Sequence, residues 1–120
     1  MTGVVSIRLP TALERTIRLH ATRAQAPPSH LTAWVLSHAL RGQYSFAALR
    51  DCPESLDAKL DFRISEELIA TVRAESARTG VLVSVYIRTI LYAYYTRRLI
   101  LTKTGERYTL VANDDQTKSS

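Results

Sequence analysis

The chain has 120 residues, of which 46% are hydrophobic, and carries a formal net charge of +5 at neutral pH. This is the size of one domain able to bury a core. Its longest apolar runs fall far short of the roughly 20 residues that cross a bilayer, which argues against a helical span or a membrane partner.

A single cysteine, Cys52, excludes an internal disulfide. With no export signal at the N-terminus the chain is expected to be cytoplasmic, and Cys52 to serve as a small linker hydrophobe. A pI near 9.7 makes polyanions plausible partners. The charge is uneven. Residues 1–50 hold Arg8, Arg15, Arg18, Arg23, Arg41 and Arg50 against Glu14, or 6 − 1 = +5. Residues 51–120 hold ten basic and ten acidic groups, or 10 − 10 = 0. A polyanion would draw more of its electrostatic attraction from the first half.

The first predicted element is a strand over Val4-Val5-Ser6-Ile7-Arg8-Leu9, with Val5, Ile7 and Leu9 on one face and Val4, Ser6 and Arg8 on the other. A helix follows. Thr11-Ala12-Leu13-Glu14 fits a capping box, and Leu13, Ile17, Ala21 and Ala24 fall on one helical stripe. Ala26-Pro27-Pro28 breaks that helix. A second helix opens at Ser29, with Leu31, Trp34, Val35, Leu36 and Ala39 facing a core.

Residues 42–57 read as a linker in which Phe46 and Leu49 could anchor a short helical turn. A second strand then alternates Leu60, Phe62 and Ile64 against Lys59, Asp61 and Arg63. Ser65 is the expected N-cap of a third helix, with Glu66 and Glu67 suited to its first turn and Leu68, Val72 and Ala77 facing inward. Gly80 is expected to end it in the left-handed conformation. The fourth helix opens at Ser84 and buries Tyr86, Ile90, Leu91 and Tyr94. Leu99–Thr102 and Tyr108–Val111 around Gly105 read as a β-hairpin, and the polar tail from Asn113 to Ser120 as disordered.

The elements repeat. A displacement of 55 pairs Arg8 with Arg63, Leu13 with Leu68, Thr16 with Thr71, Arg18 with Arg73, Arg23 with Arg78, Ser29 with Ser84 and Leu36 with Leu91, without a gap. Chance would supply about two such matches. Ile7 with Phe62, Leu9 with Ile64, Ile17 with Val72 and Val35 with Ile90 are conservative in the same register. One copy alone, about 40 residues, is too small to be stable, so two copies folded into one intertwined domain are expected. The resulting layout is a first repeat at 1–41, a linker at 42–57, a second repeat at 58–98, a hairpin at 99–112 and a tail at 113–120.

Strand, capped helix, turn and apolar helix in this order resemble the ribbon-helix-helix DNA-binding superfamily, present twice. The resemblance spans roughly residues 4–41 and 59–98. It is carried best by Ser6-Ile7-Arg8-Leu9-Pro10 leading into Thr11-Ala12-Leu13-Glu14, and by Gly80-Val81-Leu82-Val83-Ser84 leading into Val85-Tyr86-Ile87-Arg88. It implies a mainly α fold with a two-stranded antiparallel β-ribbon, here a tandem pseudo-dimer within one chain. It also implies that the ribbon enters the major groove of double-stranded DNA.

Carried over by position, Val4, Ser6, Arg8, Lys59, Asp61 and Arg63 would contact bases. Their chemistry suits this: Arg8, Arg63 and Lys59 can bind guanine, Asp61 can accept from cytosine N4, and Val4 can touch a thymine methyl. The second helix of each copy would aim its N-terminus at a phosphate, with Ser29 and His30 in one copy and Ser84 and Val85 in the other as contacts. Arg15, Arg18, Arg23, Arg73, Arg78, Arg88, Arg97 and Arg98 could add backbone contacts or simply form solvated helix faces.

The halves differ at the reading positions, Val4-Ser6-Arg8 against Lys59-Asp61-Arg63, so an asymmetric site is expected. Tandem chains of this kind resemble accessory proteins of the conjugative relaxosome, which implies a relaxase or another transfer protein as a partner. A repressor of a plasmid or toxin-antitoxin operon is the alternative role, and a helical protein-interaction module without DNA is a third. Homo-oligomerisation of the single-chain unit stays open.

Tyr94-Tyr95 invites comparison with DNA-nicking tyrosines, but His20, His30 and His38 are scattered and form no metal spacing. No phosphate loop, zinc pattern or catalytic triad is recognisable. Neither enzymatic activity nor a cofactor or metal is expected.

Overall fold

The computed structural model describes residues 2–41, 46–104 and 107–112. The expected turn at Gly105 and the expected disorder of Asn113 to Ser120 lie outside the described residues. The chain runs β1 (Thr2–Leu9), α1 (Thr11–Ala24), α2 (Pro28–Arg41), a 3-10 turn (Phe46–Ala48), β2 (Ala58–Ser65), α3 (Glu66–Thr79), α4 (Val83–Tyr95), β3 (Leu99–Thr104) and β4 (Arg107–Ala112). It is mostly helical, with β1 and β2 paired antiparallel and β3 paired antiparallel with β4.

Alternation in β1 and β2 gives their sheet one buried and one open face. Ile7, Leu9, Leu60, Phe62 and Ile64 are buried, while Val4, Ser6, Arg8, Lys59, Asp61 and Arg63 are exposed. The register sets Val4 opposite Arg63, Ser6 opposite Asp61 and Arg8 opposite Lys59. Beneath the buried face lie Ile17, Val35, Leu36, Val72, Tyr86, Ile87, Ile90 and Leu91.

The helices cross over. α2 packs against β2, the strand that follows it in sequence, and α4 packs against β1, the strand of the other copy. Each copy thus completes its core with the other, as its small size demands.

Helix starts depart from the expectations at three places. Thr11 is the first residue of α1 rather than its cap. Pro10, extended at φ −64° and ψ 147°, takes the cap position, and its carbonyl accepts from the Glu14 amide at 3.0 Å. Glu14 accepts from Arg18 Nε instead of reaching back. Ser29 lies one residue inside α2, because Pro28 carries a φ already suited to the first helical position. Ser84 sits at the same point of α4, whose cap position is held by Leu82 without a side-chain bond. Ser65 does cap α3, its hydroxyl accepting from the Leu68 amide at 3.1 Å.

The helix ends are more alike than their sequences. Gly80 ends α3 at φ 77°, and Gln25, its counterpart 55 residues earlier, ends α1 at φ 55°. Ala26 N–H donates to Ala21 C=O at 3.0 Å, and Val81 N–H to Ser76 C=O at 3.1 Å, again in register. The proline pair therefore does not end α1 alone.

Core membership differs in detail. Ala24 and Ala77 are exposed, and Ser76, the counterpart of Ala21, takes the inward place on α3. Trp34, Leu68 and Tyr94 are half-buried at the margin. Phe46 of the linker stacks on Tyr86 with ring centroids 4.7 Å apart. Among the described residues no helix is long and apolar enough to cross a membrane.

Candidate nucleic-acid interface

Strand alternation puts Val4, Ser6, Arg8, Lys59, Asp61 and Arg63 on the open face of the β1–β2 ribbon. Their charges sum to 3 − 1 = +2, from Arg8, Lys59 and Arg63 against Asp61. The Arg63 amide points out of the ribbon and donates to the Ser29 hydroxyl oxygen at 3.4 Å, and the Arg8 carbonyl points out and accepts from Arg88. Pairs whose amide and carbonyl face outward are the non-hydrogen-bonded kind, in which opposing side chains stand closest. By alternation Val4/Arg63, Ser6/Asp61 and Arg8/Lys59 all belong to it.

Asp61 occupies the middle. The Ser6 hydroxyl donates to its carboxylate from across the ribbon, and Lys59 Nζ lies 3.9 Å from the same oxygen. On one side Arg8 stands opposite Lys59, a like-charged pair that is unfavourable in water without an anion between. On the other, Val4, 64% exposed, stands opposite Arg63. Neither the Arg8 nor the Arg63 guanidinium has an ion pair or hydrogen bond among the described residues. Both are exposed and available to acceptors.

No protein-family model, curated protein or solved structure matches the chain.

The helix N-termini flank the ribbon differently. Ser29 is half-buried and meets the Arg63 amide through its side chain, so its hydroxyl is turned toward β2. Pro28 has no amide, and those of His30 and Leu31 go to the Pro27 carbonyl at 3.0 and 3.3 Å. In α4 the Tyr86 amide bonds Leu82 C=O at 2.8 Å, and the amides of Val83, Ser84 and Val85 precede that first helical bond. α4 has the more open N-terminus.

The helix-face arginines divide. Arg18 pairs with Glu14 and Arg78 with Glu75, the latter at 2.7 Å, and the Arg78 bonds hold the Glu75 carboxyl below its usual range. Arg15, Arg23, Arg41 and Arg73 are exposed. Arg88 departs from the expectation of a solvated face. Its side chain is 8% exposed, and Nε and Nη2 donate to the two Asp51 oxygens at 2.8 and 2.7 Å. Those bonds hold the Asp51 carboxyl below the aspartate range and raise the Arg88 guanidinium.

Sequence reasoning missed this pair. Its only trace was a charge inside a helix otherwise apolar nearly all round, which marks a buried element. Beside it, burial and the Asp51 charge push the Cys52 thiol up to about 11.

The tyrosines lie elsewhere in the fold. The Tyr95 hydroxyl and His20 Nδ1 are hydrogen-bonded at 2.9 Å, and Tyr94 meets Tyr95 and Trp34 edge to face. Burial raises both tyrosine hydroxyls above the usual range. Among the described residues no group of three or more His, Cys, Asp or Glu could hold a metal ion.

Proposed function

We propose that the chain is a sequence-specific double-stranded DNA-binding protein of the ribbon-helix-helix kind, a tandem pseudo-dimer that reads an asymmetric site through β1 and β2 in the major groove. One observation carries this. The repeat displacement and the strand register meet at a single pair, because Ser6 faces Asp61, the residue 55 positions on. A pseudo-two-fold axis through that pair relates Val4 to Lys59 and Arg8 to Arg63. The sequence repeat and the strand pairing share one centre.

The chemistry of the open face supports DNA as the ligand. Two guanidiniums with no partner among the described residues, together with a lysine, project from the ribbon, and such donors suit guanine O6 and N7. Asp61 at the centre suits cytosine N4. The Val83, Ser84 and Val85 amides, which precede the first helical bond of α4, suit a phosphate beside the groove. A ribbon with Arg8/Lys59 at one end and Val4/Arg63 at the other reads in one direction. Directional reading suits a process with polarity, and we assign the chain to the accessory proteins of conjugative DNA transfer or processing, with a relaxase or another transfer protein as partner.

Selection from a randomised duplex library tests the function. The protein should enrich one non-palindromic motif, and replacing both Arg8 and Arg63 by Ala should abolish its preference, each lost base contact costing about 1–3 kcal/mol. A palindromic motif, or no enrichment, contradicts the proposal. Protection of a transfer origin by the protein would support the assigned role, and protection of a promoter alone would overturn it.

A further inference from the structure

We propose that Arg88 and Asp51 form a positioning device for the Arg8 end of the ribbon, so that the segment joining the two repeats takes part in reading DNA. This rests on the DNA-binding function proposed above. Arg88 Nη1 donates to the Arg8 carbonyl at 3.1 Å while its other nitrogens grip Asp51. Asp51 is in turn fixed by the Cys52 amide, which donates to Oδ1 at 2.8 Å. One guanidinium thus joins α4, the linker and the last outward-facing residue of β1.

The opposite edge of the ribbon has no such device. The counterpart of Arg88, 55 residues earlier, is Ala33, and there the Ser29 hydroxyl meets the Arg63 amide. Docking a helix on a strand edge in this fold therefore does not require a buried arginine held by an ion pair. Burying an arginine is costly even when it is well paired, so its presence at one edge alone calls for a reason.

The reason lies across the ribbon. Arg8 stands opposite Lys59, whose Nζ is 3.9 Å from Asp61 Oδ1, and like charges directly opposite one another are unfavourable. The carbonyl clamp holds the Arg8 backbone in place against that repulsion. Asp51 neutralises the clamp, which would otherwise bring a third cation to the same end. Arg8 is in this way presented to a base in a fixed pose, whereas Arg63 faces uncharged Val4 and needs no equivalent.

A thermodynamic cycle tests this on the duplex that the wild-type chain enriches from a random library. Arg88→Met and Asp51→Asn are each measured in the wild-type, Arg8→Ala and Arg63→Ala backgrounds at one salt concentration. Each should weaken binding about tenfold in the wild-type and Arg63→Ala backgrounds and leave Arg8→Ala unchanged, because the lost contact is already gone. Each should also relax base preference at one end of the site only, the end that Arg8→Ala relaxes. Equal weakening in all three backgrounds, or none in any, overturns the proposal. Urea titration checks that the variants are folded. If Arg88→Met unfolds, Asp51→Asn carries the same comparison, and unfolding of both marks the pair as purely structural and also overturns it. If the wild type enriches no duplex while remaining folded, the DNA-binding function fails first and this inference with it.

Discussion

Gln25 is the residue whose replacement should stabilise the chain most simply. It ends α1 in the left-handed conformation at φ 55° and ψ 44°, where its counterpart in the second copy is Gly80 at φ 77° and ψ 23°. A left-handed L-residue costs about 1–2 kcal/mol, and glycine forfeits about 0.5–1 kcal/mol of that gain through its freer unfolded chain. Gln25→Gly should therefore add about 0.5–1 kcal/mol of stability. Gln25 is exposed, so little side-chain packing is lost. The reverse change, Gly80→Ala, should cost a similar amount through the backbone alone, since a Cβ there would meet nothing within 4 Å. Urea unfolding reads both: at a slope of about 1.5 kcal/mol/M the midpoints should move by about 0.5 M in opposite directions. A Gln25→Gly midpoint at or below the wild type, or an unmoved Gly80→Ala midpoint, would refute the left-handed ending.

Two further outcomes follow from the buried Thr32 hydroxyl and the Asp51 carboxylate. Thr32 is fully buried in α2, and its hydroxyl has no hydrogen-bond partner among the described residues, while its counterpart is the equally buried Ile87. Thr32→Val should raise stability by about 1 kcal/mol, because an unpaired buried hydroxyl is penalised and valine keeps its branched shape. A lower urea midpoint would show that the hydroxyl is satisfied. Asp51 has its carboxyl held low by Arg88, so its contribution is complete above the unfolded aspartate value of about 3.9 and is lost as pH falls through the lower folded value. Asp51→Asn should lose less stability than the wild type on acidification below about pH 4, as followed by urea midpoint against pH. Parallel profiles would rule out that coupling.

Much of the ribbon was legible in the sequence because strand side chains alternate with period two and a half-buried sheet must separate them. That pattern alone assigns Ile7, Leu9, Leu60, Phe62 and Ile64 to the core and the six polar-face residues to the outside. Ser65 was legible too, since its hydroxyl stands next to the acidic first turn that it caps. Thr11 misled because its hydroxyl lies one residue past the extended Pro10, whose carbonyl takes the Glu14 amide. The left-handed Gln25 has no glycine to announce it, and its only sequence signal was its register with Gly80. The Arg88–Asp51 pair was illegible for another reason: 37 positions separate the partners, and the path of a linker is set by tertiary packing rather than by local pattern.

The most direct measurement is the affinity of wild type and of the Arg8→Ala, Arg63→Ala double variant for the enriched duplex and for a scrambled duplex of equal composition. The wild type should prefer the enriched duplex. The double variant should remain folded and bind both duplexes alike, having lost about 1–3 kcal/mol for each base contact. A double variant that keeps wild-type affinity and preference would show that the ribbon does not read DNA.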